Sequence, residues 1–95
     1  MKTCAFHPGE ILKTEFMEPL QLSAWKLARE LEVPPPRIND IVRGKRGISA
    51  NTALRLGRYF GTSAQFWLNL QNRYDLAEAA KDKSIRNIRS REDAA

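Results

Sequence analysis

An all-α domain of five short helices is what this sequence predicts. Apolar residues recur at helical spacing in successive short segments, and no stretch alternates as a half-buried strand would. The segments open on proline or a hydroxyl residue and the first four stop at proline or glycine, the residues that begin and end helices. With 95 residues the chain can form one small core and not two.

The first helix is expected over residues 8–17. Pro8 suits an opening position, Glu10 sits near the positive helix end, and Ile11, Leu12 and Phe16 keep one side apolar. Pro19 stops it. Ser23 caps the second helix, whose buried stripe is read as Trp25, Leu27, Ala28 and Leu31. The third is read over about residues 34–43 and starts in the run Pro34, Pro35, Pro36. Proline is tolerated there because first-turn amides have no intrahelical acceptor. A rigid polyproline spacer is the alternative, disfavoured because Ile38, Ile41 and Val42 continue at helical spacing.

Gly44 ends the third helix. Ser49 caps the fourth, with Ala53, Leu54, Leu56, Gly57 and Phe60 inward, and Gly61 closes it. Ser63 or Thr62 caps the fifth, which carries Phe66, Trp67, Leu70, Tyr74 and Leu76. These elements make a domain over residues 1–80. Residues 81–95 turn polar and basic and read as a tail, with a short amphipathic helix around Ile85 and Ile88 as the alternative.

Composition narrows the function. The formal charge of +5 suits a polyanionic partner. It is unevenly spread: residues 37–46 hold four basic residues and one acid, whereas residues 10–18 hold three acids and Lys13 alone. Such a molecule has a basic face for nucleic acid and a mildly acidic one for a basic protein. Cys4 is the only cysteine, which excludes a disulfide framework and reads as an ordinary thiol. No apolar run approaches membrane-spanning length and no signal sequence opens the chain, so the cytoplasm is the expected location and no membrane partner is expected.

The second and third helices share one apolar face across a turn of a few residues, the pattern of a helix-turn-helix. A recognition helix brings its first turn and a half nearest the base edges. Those outward positions are Pro35, Pro36, Arg37, Asn39 and Asp40. Arg37 can bond guanine or reach a phosphate, Asn39 can read adenine, Asp40 can accept from cytosine, and the prolines can pack on a thymine methyl. Asp40 pairing with Arg37 or Arg43 is the alternative. Ser23, Arg43, Lys45 and Arg46 are read as phosphate contacts, helped by backbone amides around Gly44 and Gly47. The partner implied is double-stranded DNA. One such module touches too little DNA for tight specific binding, so a homodimer on a palindromic site is expected. Leu70, Arg73, Tyr74 and Ala77, at helical spacing on the fifth helix, are the candidate seam.

The segments HPGEIL (residues 7–12), LARELEVPPPRINDIVRGKRGI (27–48), TALRL (52–56) and GTSAQFWLNLQNRYDL (61–76) resemble the HigA-type, VapI-like antitoxins of the XRE/lambda-repressor helix-turn-helix group. The resemblance implies a compact five-helix lambda-repressor-like domain that dimerises and represses its own operon at a palindromic operator. It also implies a partner, a small basic HigB/RelE-like toxin that cleaves messenger RNA and is neutralised by binding. The chain departs from the pattern at Glu32, where many such turns carry glycine for a left-handed backbone. For the toxin surface, charge singles out the first helix and its lead-in: His7, Glu10, Glu15 and Glu18, with Lys13 among them.

Other classes fare worse. The sole histidine, His7, has no catalytic companion and reads as a residue that packs or caps the first helix. Paired carboxylates, a phosphate-cradling loop and metal-ligand spacing are missing from the sequence, so neither an enzyme nor a cofactor or metal is expected. An RNA-binding module is disfavoured because the deep A-form major groove excludes a recognition helix and no stacking platform is visible. A stand-alone repressor without a toxin keeps every inference about DNA.

Overall fold

The computed structural model describes residues 5–94, and all regular structure among them is helical. Cys4 lies outside the described residues. The chain runs through α1 (Pro8–Ile11, continued by a π-helical stretch, Leu12–Met17), α2 (Ala24–Leu31), α3 (Pro35–Val42), α4 (Ala50–Phe60) and α5 (Ala64–Ala79). Beyond α5 come a 3-10 turn (Lys83–Asn87) and α6 (Arg91–Ala94).

The expected single α-helix over residues 8–17 changes pitch part-way. Leu12 and Met17 are five apart and both buried, a spacing that the wider π turn brings towards one side. The same i→i+5 bonding carries the chain onward, with the Glu18 amide donating to Lys13 O at 2.9 Å and the Leu22 amide to Met17 O at 2.8 Å.

Serine caps begin three helices. Ser23 Oγ accepts from the Lys26 amide at 3.0 Å, Ser49 Oγ from Thr52 at 3.4 Å and Ser63 Oγ from Phe66 at 3.0 Å. Thr62 does something else: its hydroxyl accepts from Trp67 Nε1 at 2.8 Å, which satisfies the one polar atom of a fully buried indole.

The core is assembled from all five of the main helices: Leu12 and Met17, Leu27 and Leu31, Ile38 and Ile41, Ala53 and Leu56, and Trp67. Phe16 closes one end, its ring centroid 4.8 Å from Trp67 and 5.0 Å from Phe60. Four residues expected to face inward do not. Trp25 is 58% exposed, Leu54 64%, Phe66 37% and Leu76 72%. At the start of α2 the inward position belongs to Ala24, which packs on the core. On α4 the buried stripe is Thr52, Ala53, Leu56 and Gly57, with Phe60 partly buried against the core, and Leu54 stands about 100° round the axis from Ala53. Leu76 lies where α5, 16 residues against 11 in α4, runs past its neighbour.

That overhang and the segment beyond it lengthen the molecule to 55 × 24 × 22 Å. Residues 81–93 are exposed throughout, Ile85 and Ile88 included, so the 3-10 turn there adds nothing to the core.

Candidate nucleic-acid interface

The turn between α2 and α3 is set by Glu32, which adopts φ 59°, ψ 46°, the left-handed conformation for which the sequence lacks a glycine. The Glu32 amide donates to Arg29 O at 3.2 Å and the Val33 amide to Ala28 O at 3.0 Å, which closes the last carbonyls of α2 and tucks buried Val33 beneath them. Pro34 is extended and caps α3, and Pro35 and Pro36 occupy its first two helical positions, where no amide is needed. The three prolines therefore start a helix and are not a spacer.

α3 ends in the same way. Gly44, at φ 75°, donates to Ile41 O at 3.0 Å, and the Lys45 amide donates to Asp40 O at 2.8 Å. The basic loop after it is fastened from a distance: Gln71 Oε1 on α5 accepts from the Ile48 amide at 2.6 Å, and Ile48 is buried. Arg43, Lys45 and Arg46 are therefore presented, all exposed, from a loop tied down at both ends.

On α3 itself Pro35, Pro36 and Asn39 are exposed, while Arg37 and Asp40 are half-buried. No ion pair forms between Asp40 and either Arg37 or Arg43. Arg37 turns instead to α4, where its Nη1 donates to Asn51 Oδ1 at 3.2 Å. The same oxygen accepts from Arg55 Nε at 2.9 Å, and Arg55 Nη1 donates to Leu31 O, a terminal carbonyl of α2, at 2.8 Å. Asn51 thus ties α3 to α4, Arg55 ties α2 to it, and together they buttress the turn. Sequence reasoning missed Asn51, Arg55 and Gln71 because their partners lie 14 to 24 residues away along the chain.

The recognition helix is also braced from behind by α1. Gly9 lies so close to α3 that a Cβ there would stand 1.7 Å from Ile41 O. His7 caps α1, its Nδ1 accepting from the Gly9 amide at 2.9 Å, and its ring meets Tyr74 of α5 edge-on at 4.8 Å between centroids. Partial burial holds its imidazole below the usual range, against the opposing pull of Asp75 and Glu10. His7 thus both caps and packs, as its position suggests.

The acidic candidates are all exposed, Glu10 in the α-helical part of α1, Glu15 within the π-helical stretch and Glu18 just beyond it. Of the candidate seam, Arg73 is exposed, Leu70 packs against the core, and Tyr74 and Ala77 are half-buried. Through the His7–Tyr74 contact, the candidate toxin surface and the candidate dimer seam adjoin.

A helix-turn-helix family profile matches residues 15–67, more than half of the chain. Among curated relatives, virulence-associated protein I of Dichelobacter nodosus is 60% identical over 84 residues, which span 88% of this chain and 78% of that protein. Among solved structures, the Pseudomonas aeruginosa antitoxin HigA with the higBA promoter superposes with a TM-score of 0.87 at 50% identity, covering 93% of this chain and 99% of the other. An addiction-module antidote protein of the HigA family from Coxiella burnetii gives 0.82 at 44%, covering 88% and 91%. This all-helical chain, with its braced α2–turn–α3 motif and its basic loop, belongs to the XRE-type helix-turn-helix family, among the HigA-type antitoxins.

Proposed function

We propose that this chain is a sequence-specific DNA-binding antitoxin. As a homodimer it represses its own operon at a palindromic operator, and it neutralises a HigB/RelE-like, messenger-RNA-cleaving toxin by binding it directly. The observation that carries the reading is the union of an exposed α3 edge with a fastened cationic loop, in a chain half identical over nearly its whole length to an antitoxin HigA solved with its promoter. It acts in the cytoplasm, by binding and not by catalysis.

Pro35, Pro36, Arg37, Asn39 and Asp40 are the residues assigned to base edges, with Asn39 the one exposed polar side chain among them. The bond from Arg37 to Asn51 orients its guanidinium and leaves other N–H groups for DNA. Ser23, Arg43, Lys45 and Arg46 hold the backbone. Leu70, Arg73, Tyr74 and Ala77 form the dimer seam, supported by the exposure of Arg73 and the partial exposure of the other three. His7, Glu10, Glu15 and Glu18 meet the toxin, supported by the exposed acidic side chains of the three glutamates.

The test is to express the reading frame adjacent to this gene alone and together with this chain, following growth and messenger-RNA integrity. Binding of the chain to the promoter DNA is measured in parallel. Arrest and cleavage relieved by co-expression, with retarded promoter DNA, is the expected outcome. A harmless neighbour, or arrest that the chain does not relieve, refutes the antitoxin and leaves a stand-alone repressor. Absence of promoter binding refutes the DNA reading itself.

A further inference from the structure

Trp25 is a large apolar side chain left 58% exposed on the same side as the recognition helix. It stands across a groove of 330 Å³ from Pro35, Pro36, Asn39 and Asp40, with Ala24 beside it. The guanidinium of Arg29 lies over its ring, 5.5 Å from the centroid, and holds the indole on the surface by a cation–π contact. The walls of this groove are therefore an indole and two proline rings, and its polar rim is Asn39 and Asp40, which with both prolines are assigned to base edges.

We propose that Trp25 is a specificity-determining residue: with Pro35 and Pro36 it forms an apolar slot that receives the 5-methyl group of one operator thymine in each half-site. The inference rests on the DNA-binding reading above. Three observations select this occupant. The slot is continuous with the α3 edge that faces base pairs. The cations nearest it along the motif, Lys26 and Arg29 beside Trp25 and Arg37 beside Pro36, favour a polyanion over an apolar peptide. Among the groups that the major groove displays, the thymine methyl is the apolar one. Rigid rings on both sides lose little freedom on binding, so methyl burial is retained as discrimination.

The test removes only the methyl. In the natural promoter site, each thymine is replaced singly by deoxyuridine, and affinities are measured for the wild-type chain and for Trp25→Ala at low salt. One position per half-site is expected to lose about fourfold in wild-type affinity, the factor that burial of one methyl gives, and roughly fifteenfold when both half-sites are changed. In Trp25→Ala that position becomes indifferent to deoxyuridine. Binding-site selection from random DNA with the variant should return the same site with thymine preference lost at that position alone. Trp25 lies outside the core, so the variant keeps its helicity and melting temperature.

If no deoxyuridine lowers wild-type affinity, or if the loss persists undiminished in Trp25→Ala, the slot is wrong while DNA binding stands. An equal loss on all sequences also overturns the proposal and makes Trp25 a backbone contact. If the wild-type chain does not bind its promoter at all, the DNA-binding reading fails first.

Discussion

Gly9→Ala perturbs the molecule at the place where α1 leans on the recognition helix. A Cβ at residue 9 would stand 1.7 Å from Ile41 O and 2.6 Å from Ile41 C. To restore an ordinary contact the two elements must part by roughly 1.5 Å, and a gap of that size forfeits more than half of the dispersion energy of atoms lining it. The obstacle is a backbone carbonyl, and a rotamer change cannot relieve it. That carbonyl also accepts from Gly44 at 3.0 Å, so displacing it loosens the end of α3.

Overpacking of a tight interior costs about 1–3 kcal/mol and more where backbone must move, and the upper end of that range applies here. Against a total stability of roughly 5–14 kcal/mol for a domain of this size, about 3 kcal/mol lowers the melting temperature by at least about 10 °C. Thermal unfolding followed by circular dichroism measures it. Gly61→Ala is the comparison: Gly61 has φ 77° and open space around it, so only backbone strain of about 1 kcal/mol is added. A fall under about 3 °C for Gly9→Ala, or a smaller effect than Gly61→Ala, would refute the reasoning.

Glu32→Gly is expected to raise the melting temperature by about 4–8 °C, because a side chain in the left-handed region costs about 1 kcal/mol; an unchanged or lower value contradicts it. Lys45→Ala should weaken binding to operator and random DNA alike and flatten the salt dependence by about one unit, and a purely sequence-specific loss removes its phosphate assignment. His7 supplies a pH dependence. Its folded form favours the neutral imidazole, below the ordinary value of 6.5, so its stabilisation is full above that value and is lost as pH falls through the depressed folded one. The denaturant midpoint should therefore fall between about pH 8 and about pH 5, and fall less in His7→Asn, which keeps a cap acceptor without titrating. Equal pH profiles for the two chains would exclude His7 as the source.

The helix starts and stops of the motif were legible because each is a local matter. Ser23, Ser49 and Ser63 cap through a bond to an amide three residues on, and Gly44 ends α3 by adopting a conformation open to it alone among its neighbours. Even the left-handed Glu32 could be anticipated, since the turn requires that backbone whatever residue stands there. Helical spacing also identified most of the core. It failed for Trp25, Leu54, Phe66 and Leu76, because periodicity says which residues share a face but not where along a helix a neighbour lies beneath it.

What the sequence by itself determined is thus the helical class, the helix-turn-helix and the basic edge beside it. Tertiary structure alone decided how that edge is held. Asn51 joins Arg37 and Arg55, Gln71 fastens the loop at Ile48, and Gly9 admits the backbone of α3. Those contacts join residues far apart along the chain, and a pattern within one segment carries no information about which atom of a distant one comes to lie about 3 Å away.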